Sequence, residues 1–156
     1  MNKVITTELP VTSLLGDRVA STDFIDCYSI ESELSPRHAA QIITNFPVWA
    51  RFLIGIRNLL TRPLGLSSDG PSAIDKVGFF PVETENSHEL IAGFNDKHLN
   101  FRVSVISQNG RVYLATWVHT NNIAGQLYLK AILPFHILIS RNALARVKEE
   151  SHAKKT

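Results

Sequence analysis

The sequence predicts an α+β domain in which a curved antiparallel sheet is crossed by a long C-terminal helix. Three observations lead to that class. Residues 87–119 alternate apolar and polar side chains in strand-length runs joined by tight turns. Residues 123–147 then form one long apolar, helix-compatible stretch, interrupted in character only by Pro134. Upstream, two short helices are announced by successive start signals after a single early strand.

The first strand is expected at residues 23–30, with Phe24, Asp26, Tyr28 and Ile30 on one side and Ile25 and Cys27 on the other. Ser35-Pro36 supplies an N-cap followed by proline at the first helical position, so a short helix should run to about Thr44. Asn45-Phe46-Pro47 starts the next helix. Val48, Trp49, Phe52, Leu53, Ile56, Leu59 and Leu60 give it a broad apolar face, and Pro63 and Gly65 end it. The turn-rich stretch 66–72 reads as a loop. Residues 77–82 read as one short edge strand, because Gly78 and Pro81 weaken it.

Turn chemistry then sets the pairing of the main strands. Asn109-Gly110 suits a two-residue type I′ turn, which places Gln108 opposite Arg111, Val105 opposite Leu114, Val103 opposite Thr116 and Phe101 opposite Val118. A second turn at Asn95-Asp96 would set Leu90 against Phe101 and Ala92 against Leu99. Both turns assign the same face to the core, and His88 would fall on it opposite Val103. The outer face would carry a solvent-facing row of Glu89, Arg102 and Trp117, serving as surface stabilisation or as a partner patch.

Asn121-Asn122 offers a cap for the last helix, in which Pro134 predicts a kink or a break. Its apolar residues nearly encircle the axis, more than one sheet-facing stripe requires. The surplus implies a lined cavity, a dimer contact or packing on the N-terminal segment.

At 156 residues the chain fits one domain, expected over 21–148, with a poorly defined segment at 1–20 and a charged tail at 149–156. Lys and Arg exceed Asp and Glu by only 16 − 14 = 2 and are scattered, so no nucleic-acid footprint appears. A single cysteine, Cys27, fits a reducing, cytoplasmic setting. Neither a secretion signal nor a membrane span is expected.

Much familiar chemistry is missing. No glycine pattern matches a phosphate-binding loop, no G-x-S-x-G elbow occurs, and the six histidines are never at metal-ligand spacing. No metal and no cofactor are therefore expected. Cys27 reads as a buried hydrophobe rather than a nucleophile, and Asp96 near His98 as a turn rather than an acid–base pair.

Pro47-x-Trp49, Arg57-Asn58, Arg62-Pro63-Leu64-Gly65-Leu66, the run from Gly93 to Arg102, and Asn122, Gly125, Tyr128 and Pro134-Phe135-His136 resemble the bacterial domain of unknown function 2867. That resemblance spans roughly residues 23–146. It implies a fold similar to the START-like helix-grip superfamily, where a long C-terminal helix crosses a curved sheet over a ligand cavity. The resulting expectation is an uncharacterised domain that binds a small hydrophobic ligand. Leu90, Phe101, Val103, Leu114, Thr116 and Val118 would form the floor, Tyr128, Ile132 and Phe135 the roof, and His88 and Thr116 would orient the ligand. Two alternatives stand beside it: a cyclase- or hydratase-like enzyme using His88, or Asp96 with His98, in the same cavity, and a homodimeric interaction module.

Overall fold

The computed structural model describes residues 3–65 and 71–155. In chain order these form β1 (Ile5–Thr6), β2 (Phe24–Glu31), α1 (Pro36–Thr44), α2 (Val48–Thr61), β3 (Lys76–Val77), β4 (Phe80–Glu85), β5 (Glu89–Asn95), β6 (Leu99–Gln108), β7 (Arg111–Thr120) and α3 (Ile123–Ala153). All seven strands make one antiparallel sheet in the order β1-β2-β7-β6-β5-β4-β3. The α+β class expected from the sequence is the class observed.

Local chemistry explains the element boundaries. Ser35 accepts a hydrogen bond from the His38 N–H (3.3 Å) and Pro36 opens α1. After α2 the chain tightens through a 3-10 turn at Arg62–Leu64, closed by Gly65 in the left-handed region (φ 69°). Residues 66–70, and with them most of the expected loop, lie outside the described residues. The edge strand anticipated at 77–82 is instead a small hairpin, β3 turning into β4 at residues 78–79.

The β6–β7 hairpin has the anticipated register throughout. Asn109 (φ 52°) and Gly110 (φ 70°) both take positive φ, as the type I′ turn demands. The β5–β6 hairpin turns two residues later than expected: Asn95 pairs with Asn100, the Asp96 N–H donates to the Leu99 carbonyl (2.9 Å), and Lys97-His98 form the tip. The register therefore moves by four, so Leu90 faces Val105 and Ala92 faces Val103. An even shift preserves the faces. His88, which the earlier turn would have carried onto the inner face, instead lies before β5 and is exposed.

On the inner face Tyr28, Ile30, Leu90, Val105, Val112 and Leu114 pack beneath Ala39, Ile42 and Ile43 of α1 and Ala143, Leu144 and Val147 of α3. The outer face is covered too. Residues 7–20 lie across it as an irregular strap, burying Leu15 completely with Cys27, Ile91, Ala115 and Trp117. Glu89 fastens that strap: its carboxylate accepts from the Ser13 hydroxyl (2.6 Å), the Ser104 hydroxyl (2.6 Å) and the Leu14 N–H (2.8 Å).

The solvent-facing Glu89–Arg102–Trp117 row is thus corrected. Arg102 does lie opposite Trp117, but it pairs with Glu83, and the guanidinium over the indole is that of Arg18, 5.7 Å from the ring centre. Glu89 and Trp117 are buried. α3 passes through Pro134 as one uninterrupted helix, so the alternative of two helices meeting there does not occur. Residue 134 is exposed, which leaves the carbonyl one turn earlier to water. The helix extends through residues 149–153, where Ser151 is buried and Glu150 approaches His38 (3.3 Å).

Candidate functional site

The anticipated floor divides into two regions. Leu90 and Leu114 belong to the closed core beneath α1 and the C-terminal half of α3. Further along, under the first half of α3, Thr116 and Val118 are buried while Phe101 and Val103 are only half-buried. Phe101 stands edge-on to Phe80 (5.6 Å) and Phe94 (4.7 Å) in a row of aromatic rings. Of the roof residues, Tyr128 and Ile132 are half-buried and Phe135 is 49% exposed. The Tyr128 hydroxyl accepts from Arg57 Nε (2.6 Å), a link between α2 and α3.

The polar groups singled out from sequence do not converge on this region. His88 is exposed, its N–H donating to the Asn86 side chain (2.8 Å). Asp96 accepts from the Lys97 N–H (2.7 Å), and His98 Nδ1 lies 3.1 Å from Asn122 Oδ1, which also accepts from the Gly125 N–H (3.0 Å) to cap α3. These two residues build the turn and the helix start. Cys27 points to the outer cluster, where burial, reinforced by the charge of Asp26, pushes its thiol up to about 12. A thiol so far from ionising is a poor nucleophile.

A different pair occupies the inner face. Asp26, on β2, is opposite Thr116, and its Oδ2 lies 2.9 Å from Nε2 of His136 on α3. Asp26 Oδ1 is buried and, among the described residues, has no hydrogen-bond partner. Phe24 stands edge-on to the imidazole at 6.0 Å, and Val118 pairs with Phe24 across the sheet. One step along the same face, burial and then the Asp26 charge raise the Tyr28 hydroxyl pKa, and its hydrogen-bonding approach to the Asp26 carboxylate adds to this; Arg141, whose guanidinium lies 5.6 Å from the ring centre, opposes them.

Chemically this is a carboxylate with Oδ2 engaged by His136 and Oδ1 without a hydrogen-bond partner among the described residues, set beside Thr116 and the Tyr28 hydroxyl on one side and Phe24 on the other. An acceptor withdrawn from water without a donor costs about 1–3 kcal/mol. A hydroxyl or N–H brought to Oδ1 would recover that cost. The signal for Asp26 was present in the sequence, since an acidic residue shared a strand face with Phe24, Tyr28 and Ile30. Its partner lies 110 residues away on another element, and no spacing rule connects them.

The profile of the family DUF2867, described as "Protein of unknown function (DUF2867)", matches residues 18–143. The chain belongs to this family. No curated protein and no solved structure matches the chain. The DUF2867 region contains Asp26, Thr116 and His136 and all the anticipated floor and roof residues, but stops short of Ser13 and Leu14 of the strap.

Two open grooves mark other parts of the surface. One of about 760 Å³ lies between α1 and the end of α3, lined by His38, Gln41, Arg146, Glu150 and Lys154 among others. The second, about 410 Å³, gathers Glu31, Arg111, Lys148 and His152. Both are rich in charged residues and neither includes an anticipated floor residue.

Outside those grooves the DUF2867 domain exposes much apolar surface on α2 and the first half of α3. Val48, Phe52, Leu59 and Leu60 of α2 are each 67–75% exposed, and Ile123 and Leu127 of α3 are 73% and 63% exposed. α3 is long and apolar enough to cross a bilayer, with mean hydropathy 1.4 over an 18-residue window of which 11% is buried.

Proposed function

We propose that this DUF2867 domain binds a small hydrophobic molecule with one hydrogen-bond-donating end, seated between the inner face of β2, β7 and β6 and the first half of α3. The observation that carries the reading is the buried Asp26 Oδ1, which has no hydrogen-bond partner among the described residues, on the face that also carries Phe24 and Val118. Ligand sites of this kind are mostly apolar, with a few polar atoms that fix orientation. Asp26 takes the donor, His136 holds the carboxylate in place, and Phe24, Phe101, Val103 and Val118 contact the apolar body. A long helix across an antiparallel sheet agrees with the START-like resemblance, which supports the same reading.

The enzyme alternative has one foothold, the 2.9 Å Asp26–His136 pair, which has the reach of an acid–base couple. His88 is exposed, and Asp96 and His98 sit at the β5–β6 turn, His98 against the α3 cap. Binding is the primary reading, because it needs only the open acceptor.

N-phenyl-1-naphthylamine, a neutral fluorescent hydrophobic probe with a single N–H donor, tests it by titration. Val103→Trp fills the half-buried floor and Asp26→Leu removes the acceptor; each should weaken probe binding at least about tenfold, circular dichroism reporting an intact fold. Probe binding left unchanged by both variants would place the probe elsewhere and overturn the proposal.

A further inference from the structure

The amphipathicity of α2 is inverted. Val48, Phe52, Ile56, Leu59 and Leu60 recur at helical spacing on the exposed side, while Ala50 and Thr61 are the residues it buries. A helix of 14 residues gains little stability in water by itself, and here its apolar stripe adds nothing to the core. Beside it, joined through Arg57 and Tyr128, the first half of α3 presents Ile123, Leu127, Phe135 and Leu138. Together they form an exposed apolar surface of the kind that marks an interaction site.

Charge identifies the occupant. The sequence has no Asp or Glu between Glu33 and Asp69, and none between Asp96 and Glu149. α2 and the exposed half of α3 therefore carry charge of one sign. Arg51, Arg62 and Lys130 are exposed, and among the described residues none of them joins an ion pair. We propose that this surface docks on an anionic lipid bilayer, with the α2 stripe and the α3 start in the headgroup–acyl boundary and Arg51, Arg62 and Lys130 against lipid phosphates.

Such a surface combines apolar area with cations and excludes acids, the composition of interfacial helices that lie on membranes. Trp49, 39% exposed at the head of α2, suits the interfacial depth. A second copy fits less well. Two such faces brought together would set Arg51, Arg62 and Lys130 against their own counterparts, with no carboxylate on α2 or on the first half of α3 to offset them.

Vesicle flotation of the full chain tests the proposal, using phosphatidylcholine alone and phosphatidylcholine with about 30 mol% phosphatidylglycerol. The chain should float with the anionic vesicles, more weakly as salt rises, and Trp fluorescence should shift to the blue. Each basic residue near such a surface is worth about fivefold in partitioning, so R51Q/K130Q should bind roughly 25-fold more weakly. F52S/L59S, altering exposed positions only, should lose flotation while keeping the wild-type circular dichroism. No flotation with anionic vesicles at low salt would overturn the proposal. So would equal binding to neutral vesicles, unchanged binding of F52S/L59S, or a dimer seen by light scattering that F52S/L59S abolishes without any vesicle binding.

Discussion

Replacing Glu89 by alanine should loosen the whole N-terminal strap. Its carboxylate accepts three hydrogen bonds, from the hydroxyls of Ser13 and Ser104 and the N–H of Leu14, and the residue is 3% exposed. Hydrogen bonds to a carboxylate contribute about 1.5–3 kcal/mol each, but three sharing one acceptor group are not additive. Part of the gain is also offset by the cost of burying the carboxylate. A net loss of about 3–5 kcal/mol is expected for E89A, because Ser104, fully buried, keeps a hydroxyl without its acceptor. E89Q retains the shape and one acceptor oxygen and should cost about 2 kcal/mol. Urea unfolding followed by Trp117 fluorescence and by far-ultraviolet dichroism measures both values. Limited proteolysis reads the strap directly: E89A should be cut after Arg18 well before the core opens. If E89A were within about 0.5 kcal/mol of wild type, or if its strap stayed protected, Glu89 would not be the fastening point.

Other outcomes follow from the same geometry. A Cβ on Gly125 would run into the His98 carbonyl, so Gly125→Ala must lift the start of α3 from the β5–β6 turn and should cost about 1–3 kcal/mol in thermal or urea melts. Asn122→Ala removes the cap on the same helix and should cost about 1 kcal/mol. Arg18, and with it Arg102, lowers the Glu83 carboxyl from 4.5 to about 2. Because the folded value is depressed, that stability is fully present above about pH 4.5 and is lost as pH falls toward 2. Solvent screening at this partly exposed site limits it to the order of 1 kcal/mol, and Glu83→Gln should flatten stability against pH in that window. Gly110→Ala places a side chain at φ 70° and should destabilise the β6–β7 hairpin by about 1–2 kcal/mol.

Where a turn had one chemically favoured position, pairing was legible in advance. Asn109-Gly110 is such a case, and every β6–β7 partner follows from it. Asn95-Asp96 offered similar residues two positions too early; the turn at Lys97-His98 is held by the Asp96–Leu99 bond and by His98 docking on the α3 cap. Parity rescued the inner and outer faces but not the partners of Glu89 or the position of His88. The strap was invisible for a different reason. Ser13, Leu14 and Leu15 meet the sheet through an irregular backbone, which leaves no period to detect. At the candidate site the apolar residues of β6 and β7 could be read from alternation, whereas Asp26 and His136 meet only because α3 crosses β2. The apolar excess on the last helix was readable as well, though not that α2 would turn its own stripe outward.

Native mass spectrometry of freshly purified protein addresses the inner-face site most directly. The account predicts a retained small molecule, with a donor group and a largely apolar body, that is present on the wild-type chain and absent from Asp26→Leu. A wild-type chain that carries nothing and gains no adduct on incubation with a lipid-soluble cell extract, or an adduct that persists in Asp26→Leu, would contradict it.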